Sequence, residues 1–316
     1  MSPPIDWLSR LLHMVPVSGR VEVRCLYGAP WQVVYDPSPP GEIPYHVVLA
    51  GSAIVEDFAG GPRRRLHAGD IVLLPTGAAH RLHDGSGATP LPVRYRPGVN
   101  QTFSDNAGTE DRLDLLCGRF ILASPHDRLL GSYLPSVMIV RGQAQSREGE
   151  EGATSDQLAA LVSLMRGESD RESLGGQAML NAFSAALFTL ALRMAGQTQE
   201  APVGLLALAG HPRLAPALAA MFQRPEEPWT LPALARLCNM SRATLARHFQ
   251  EKLGRSASDL LLDIRITIAA NRLKQPGAST AAAAEAAGYQ SEAAFQRVFK
   301  QRMGLTPAQW RRASLA

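Results

Sequence analysis

The sequence predicts an α+β protein of two domains, an N-terminal β-barrel with flanking helices and a C-terminal all-α domain with two helix-turn-helix units. Three observations carry this prediction. Short alternating runs dominate the chain up to about residue 140, and helical spacing replaces them afterwards. Gly and Pro interrupt the first part at intervals that suit strands and turns. A pattern of 21 residues near the C-terminus occurs again fifty residues later.

At 316 residues the chain is long enough for two cores. The expected divisions are 1–150 for the barrel, 151–200 for a helical dimerisation or linker region, and 201–316 for the C-terminal domain. A hydrophobic content of 46% with 19% charged residues is ordinary globular composition. The start, MSPPIDWLSRLL, lacks the basic segment and apolar core of a signal peptide. The longest mostly apolar run, Ala182 to Leu192, is too short to cross a bilayer. The expectation is therefore a cytoplasmic protein with no membrane partner. Three cysteines without close spacing fit neither a disulfide scaffold nor a zinc module, so the thiols are expected reduced. Charge is uneven. Residues 201–316 hold 15 Lys and Arg against 7 Asp and Glu, a net of +8, whereas residues 1–200 hold 17 against 21, a net of −4. A basic third on an acidic body is the footprint of a polyanionic partner.

From Val21 to Ile139 no helical period is visible. VEVRC places Val21, Val23 and Cys25 on one side of a strand and Glu22 and Arg24 on the other. YHVVLAGSAIVE and DIVLLP are further strand segments, GGPRRR and HDGSG are turns, and the region reads as a small antiparallel barrel or sandwich. Glu148 to Asp156 reads as a Gly/Glu-rich linker. Beyond it Leu158, Leu161, Val162 and Met165 share one helix face. Leu180, Phe183, Leu187, Leu190 and Met194 form a short stripe at spacings of three and four. That stripe suits either a contact between two copies of the chain or packing onto the barrel. GQTQEAPVG, Gly196 to Gly204, reads as a second linker. Helix starts are signalled at Thr230, at Ser241, at Ser256 with Asp259 three residues on, and at Thr306 before Pro307.

The repeat is LARLCNMSRATLARHFQEKLG, Leu234 to Gly254, and AAEAAGYQSEAAFQRVFKQRMG, Ala283 to Gly304. Leu245, Arg247, Phe249 and Gly254 return as Phe295, Arg297, Phe299 and Gly304. Each copy is a short helix, a tight turn and a second helix with one polar face. Small residues at Ala235 and Ala284 permit close crossing, and Gly288 supplies a turn that is one residue longer in the second copy. Ser256 to Lys274 reads as one continuous helix of about 28 Å at 1.5 Å per residue. Adjacent major-groove faces on one side of B-DNA lie about 34 Å apart, so that helix suits two recognition helices in successive grooves. Double-stranded DNA is the expected partner. Cys238, within the first copy, reads as a small buried hydrophobe.

MSRATLARHF and AGYQSEAAFQRVFKQRMGLTPAQWR resemble the recognition segments of the AraC/XylS family of transcription regulators, over about Leu205 to Arg312 and including Arg265 in the joining helix. Position by position, the resemblance implies groove-facing roles for Arg242, Ala243, Ala246 and Arg247 in the first unit, and for Glu292, Ala293, Gln296 and Arg297 in the second. Arg can donate two bonds to guanine, Glu can accept from cytosine and Gln can pair with adenine. Lys252, Arg255 and Lys300 suit phosphate contacts. The sequence departs from the family where Ala283 replaces a bulky aliphatic and where Ala243 and Ala246 replace base-contacting side chains. The resemblance further implies an activator that meets RNA polymerase and works as a homodimer.

HAGDIVLLPTGAAH carries Gly69, Pro75, Gly77 and His80 at the spacing of the second cupin motif. The first-motif region offers only His46, without the second His and the Glu of metal-dependent members, so His46 and His80 are weak metal candidates and no cofactor is expected. A hydrogen-bonded structural pair is the alternative role for these two. His67 and His83 lie near turns and read as surface residues. DWLSRLL, VRCLYGAPWQ around Cys25, GDIVLLPTGAAHRL and LLCGRF around Cys117 resemble the cupin sensor of the branch that senses reactive chlorine. That resemblance implies Cys25 and Cys117 as an oxidant switch, with Arg119 near Cys117 favouring thiolate. Three function classes stay open. The first is an oxidant-responsive regulator, the second a regulator that holds an organic effector in the cupin pocket, and the third a cupin enzyme with a DNA-binding tail. A non-enzymatic regulator is the leading expectation.

Overall fold

A computed structural model describes residues 6–123, 126–142, 150–197 and 203–315, and these fall into two compact units. The sequence opens with α1 (Trp7–Met14), capped by the Asp6 carboxylate, which accepts from Ser9 N at 2.9 Å. Eleven strands follow: β1 (Val17–Ala29), β2 (Gln32–Tyr35), β3 (Glu42–Ala50), β4 (Ser52–Asp57), β5 (Arg64–His67), β6 (Ile71–Leu73), β7 (His80–His83), β8 (Val93–Pro97), β9 (Thr102–Asn106), β10 (Glu110–Leu122) and, after α2 (His126–Tyr133), β11 (Met138–Val140). Seven of them form one sheet in the order β11-β6-β3-β10-β1-β9-β8, and β2-β7-β4-β5 form the other. Apolar side chains of both sheets, among them Tyr27, Trp31, Val48, Val55, Leu66, Leu82 and Leu115, close one core.

The barrel expectation holds, with two corrections. The larger sheet is mixed, because β9 runs parallel to β1. β10 already occupies one edge of β1, and the β8–β9 hairpin enters along the edge that remains. The simple alternation through VEVRC also fails. Pairing shifts between Val21↔Gly118 and Val23↔Cys117, a bulge that leaves Glu22 opposite nothing and puts Val21 on the face of Arg24, while Val23 and Cys25 keep the core face opposite Arg24. Arg24 is 5% exposed, and its guanidinium donates to both oxygens of Asp114 at 2.9 Å. Ser169 accepts a further bond from it at 3.2 Å. The bulge leaves Val21 N without a strand partner, and Asn181 Oδ1 accepts from it at 3.1 Å.

That asparagine belongs to α4 (Gly176–Gln197), which with α3 (Glu150–Ser169) packs in the barrel unit. The segment expected as a linker up to Asp156 is thus helical from Glu150. Its continuation buries Leu158, Leu161 and Met165, and packing of that face outweighs the weak local preference. The second expected linker, 196–204, lies largely outside the described residues. α4 is long and apolar enough to span a bilayer by composition, and it spends that character on the sheet. Leu180, Leu187 and Met194 of the expected stripe are buried, while Phe183 and Leu190 are half-buried. Phe188 packs on Phe120 with ring centroids 4.8 Å apart, and Ser184 Oγ donates to the Tyr45 hydroxyl at 2.8 Å. Only Gly fits at position 19, where a Cβ would stand 2.4 Å from Ser184 Oγ.

The other unit contains α5 (Leu205–Ala209), α6 (Ala215–Gln223), α7 (Leu231–Leu237), α8 (Arg242–Leu253), α9 (Ala257–Leu273), α10 (Thr280–Ala286), α11 (Glu292–Met303) and α12 (Pro307–Leu315). The described residues up to Pro16 and between Ala123 and Tyr133 belong to it as well. Asn271 donates to Met14 O at 2.7 Å, and Trp7 of α1 lies against Phe222 of α6 with centroids 6.1 Å apart. Among the described residues, α2 is the one helix inside the span where no helical period is visible. Eight residues are too few for a clear period, and Leu129, Leu130 and Tyr133 bury its inner side. The Tyr133 hydroxyl donates to Asp263 Oδ2 on α9 at 2.6 Å.

Removing the Asp114 carboxylate leaves the Arg24 charge buried without its bidentate partner. Asp114→Ala should destabilise the barrel unit by about 3–5 kcal/mol, seen as an earlier first transition in urea. Unchanged unfolding would show that Ser169 and Asp170, which also accept from the Arg24 guanidinium, suffice.

Candidate nucleic-acid interface and thiol cavity

In the helical unit the two repeats fold alike. Helices α8 and α11 each span 12 residues, and their burial pattern is the same at every position but the last, where Leu253 is buried and Met303 half-buried. Leu245 and Phe249 point inward in the first, Phe295 and Phe299 in the second. Ser241 caps α8 by accepting from Thr244 N at 3.1 Å, and Ser291 caps α11 by accepting from Ala294 N at 3.4 Å. Both helices end on a left-handed glycine, Gly254 at φ 71° and Gly304 at φ 75°. The turns differ as the spacing predicts. Asn239 at φ 50° reverses the chain in the first unit, and Gly288 at φ 73° in the longer second one.

Ala283, where relatives of this pattern carry a bulky aliphatic, is fully buried beside Ala269, Ala270, Ala284 and Ala287, with Phe295, Phe299 and Trp310 filling the remaining space. Arg265 on α9 ties the units together. Its guanidinium donates to the carbonyls of Pro225 and Glu227 at 2.7 Å each, so it holds the loop before α7.

All eight groove candidates are exposed: Arg242, Ala243, Ala246 and Arg247 on α8, and Glu292, Ala293, Gln296 and Arg297 on α11. Gln296 Nε2 donates to Glu292 Oε1 at 3.0 Å, which aligns two of them. The three phosphate candidates differ among themselves. Lys300 is exposed and Lys252 half-buried. Arg255 is already engaged, 3.8 Å from Asp263 and stacked over the Tyr133 ring at 5.3 Å. Cys238 is buried at the end of α7, as its apolar neighbours imply.

In the barrel unit Cys25 and Cys117 line a cavity of about 320 Å³ together with Tyr27, Tyr35, His46 and Ser104. Cys25 pairs across the ladder with Leu115 and Cys117 with Val23, so the two cysteines are diagonal neighbours. Their sulfurs are 3.9 Å apart and both are reduced. Cys117 Sγ also lies 3.1 Å from His46 Nδ1 and 3.5 Å from the Tyr35 hydroxyl. The neighbouring Cys117 sulfur holds the Cys25 thiol below its usual pKa. Burial pushes the Cys117 thiol well above its own.

The expected help from Arg119 is a misreading of its surroundings. Its guanidinium is paired with Glu22 at 3.0 Å and with Glu42, so two carboxylates absorb the charge before it can reach the thiol. His46 and His80 form the hydrogen-bonded pair, Nε2 to Nε2 at 2.8 Å, and burial holds both imidazoles below their usual pKa. The metal of catalytic cupins does not fit here. The two Nε2 atoms are spent on each other, the other side of His46 faces a thiol, and among the described residues no cluster of three His, Cys, Asp or Glu is placed for an ion. His67 is exposed, as expected. His83 is not a surface residue: it sits on β7 with its side chain 13% exposed, 3.3 Å from Glu56.

A cupin family model matches residues 6–195, and a helix-turn-helix domain model matches residues 234–313. The chain belongs to the AraC/XylS family of transcription regulators, with a cupin domain at its N-terminus. It is similar end to end to other regulators of this kind. An HTH-type transcriptional regulator of Haemophilus influenzae is 29% identical over 98% of this chain and 99% of its own. The RCS-specific HTH-type transcriptional activator RclR of Escherichia coli K12 is 28% identical over 97% of both chains. The HTH-type regulator MtrA of Neisseria gonorrhoeae is 29% identical over 98% of both.

Several participants in this AraC/XylS regulator's cavity carry no local signal. Tyr35 stacks on His80 at 4.7 Å with the rings 7° from parallel, and Tyr27 hydrogen-bonds Ser104 at 2.6 Å. His46 stands directly opposite Cys117 in the β3–β10 register, a pairing between residues 71 apart in the chain.

At Gly288 a side chain would have to adopt positive φ with its Cβ 2.4 Å from Glu226 O. Gly288→Ala should therefore cost about 1–3 kcal/mol, read as a lower melting temperature. An unchanged melt would mean that the Glu226 loop yields freely.

Proposed function

We propose that this DNA-binding regulator is an oxidant-responsive activator in which an electrophilic oxidant links Cys25 to Cys117. The observation that carries the proposal is the 3.9 Å separation of two reduced sulfurs beside a cavity. The 28% identity to RclR, named as an RCS-specific activator, supports the same class of signal. Overall, two thiols and one hypochlorous acid give a disulfide, water and hydrogen chloride. A disulfide needs its sulfurs at about 2.05 Å. The diagonal pair must therefore close by nearly half its separation, through side-chain rotation and any shift of β1 against β10 that accompanies it. β1 starts three residues after α1 ends, and α2 starts four residues after β10 ends, so any shift pulls on helices that belong to the DNA-binding unit.

The protein acts in the cytoplasm as a homodimer, joined through residues 151–200, and meets RNA polymerase at its promoters. It catalyses no reaction of its own. The exposed faces of α8 and α11 supply groove contacts, with Lys252, Arg255 and Lys300 on phosphate. Because Arg255 is held by Asp263 and Tyr133, its contact depends on how α2 seats on α9. A second reading rests on the cavity itself, whose volume suits a small organic effector, with the cysteines merely structural.

On the full-length protein, Arg297→Ala should weaken operator binding by about 1–3 kcal/mol and relax discrimination at one base pair. Lys300→Ala should weaken all duplexes alike and flatten the salt dependence. Equal losses on every sequence for Arg297→Ala would remove it from base recognition.

Hypochlorous acid should create a Cys25–Cys117 linkage visible by peptide mass spectrometry, together with a change in promoter output. A transcriptional response that survives in the Cys25→Ser, Cys117→Ser double variant would sink the switch and favour the organic effector.

A further inference from the structure

The hydrogen bonds around Cys117 fix a direction for proton movement. The Ala78 carbonyl can only accept, and His80 Nδ1 lies 3.0 Å from it, so that nitrogen carries a proton. Neutral His80 then presents a bare Nε2, and His46 must donate to it through its own Nε2–H across 2.8 Å. His46 Nδ1 is thereby left unprotonated, and it faces Cys117 Sγ at 3.1 Å. The chain of donors runs from the Cys117 thiol to His46, from His46 to His80, and from His80 to the backbone.

We propose that His46 is the base that takes the Cys117 proton when Cys117 attacks oxidised Cys25, and that His80 is the positioning residue that fixes the tautomer of His46 and receives the charge. The inference rests on the oxidant reading above and assigns the roles within it. The lowered Cys25 thiol reacts first: its sulfur takes chlorine from hypochlorous acid, and its proton leaves in water. Cys117, kept protonated by burial, then needs a base. Its sulfur attacks Cys25 Sγ, the S–S bond forms, and the S–Cl bond breaks as chloride departs with the electron pair. The proton passes to His46 Nδ1, and the Nε2 proton of His46 passes to His80. Its positive charge meets the face of Tyr35, stacked 4.7 Å away, and the Ala78 carbonyl. Proton and chloride together balance as hydrogen chloride.

The test uses the full-length protein, one equivalent of hypochlorous acid, and dimedone to trap sulfenic acid. Wild type should form the disulfide and give little adduct. His46→Asn keeps a polar group in the pocket but no base, and should close the disulfide about 100-fold more slowly, within the range that general-base catalysis contributes. Its unresolved sulfenyl chloride should hydrolyse, and dimedone should label Cys25. His80→Gln should give the same adduct with a smaller loss of rate. His46→Ala should regain speed with added imidazole, which a merely structural histidine would not permit. If wild type forms the disulfide and His46→Asn matches its rate, the relay is wrong and the switch stands. If wild type itself forms no disulfide, the switch and the relay fall together.

Discussion

The ladder between β1 and β10 is the contact on which the rest of the barrel unit depends. Two strands of 13 residues pair along most of their length, and one irregularity near the middle decides what faces where. The shift at Val21 and Val23 parts Val21, whose N–H turns to Asn181, from Val23 and Cys25 on the core side with Cys117, while Arg24 lies on the other face against Asp114. A bulge also raises local twist and re-aims neighbouring side chains, which is the usual consequence where chemistry is placed on a sheet.

The helical unit answers to a different constraint, the close approach of backbones. Ala269, Ala270, Ala283 and Ala284 leave room for α9 and α10 to meet, and large aromatic rings from α11 and α12 take up the volume they release. The departure from a bulky residue at position 283 is therefore a change in how the core is filled. Arg265 contributes through carbonyl oxygens: it stands in for the donors that the Pro225–Glu227 loop lacks. Burial holds its pKa below the usual arginine value, yet three carbonyls within reach keep it well solvated by protein.

Much of this unit was legible because its determinants are local. The repeated Phe and Gly, the caps at Ser241 and Ser256 and the length of α9 can all be read within a few residues of where they act. The barrel yielded its class and its histidine pair, but not its wiring. A bulge has no sequence mark here, so strict alternation misplaces Val21 and Glu22, while Arg24 falls on the face it predicts. Arg119 was matched with the thiol two residues away, when strand pairing gives it Glu22 and Glu42 instead. His46 reaches Cys117 only through a register that joins distant strands. Segments such as α1, α2 and the start of α3 are short or weakly patterned, and tertiary burial decided them.

The helical unit is not one stretch of chain. Its core takes in Leu8 and Leu11 from the first turns of the sequence and Leu129 and Tyr133 from just past the barrel's longest ladder. A graft that moved only the residues after the second linker onto another protein would leave two apolar scars, one where α1 covers Phe222 and one where α2 covers α9.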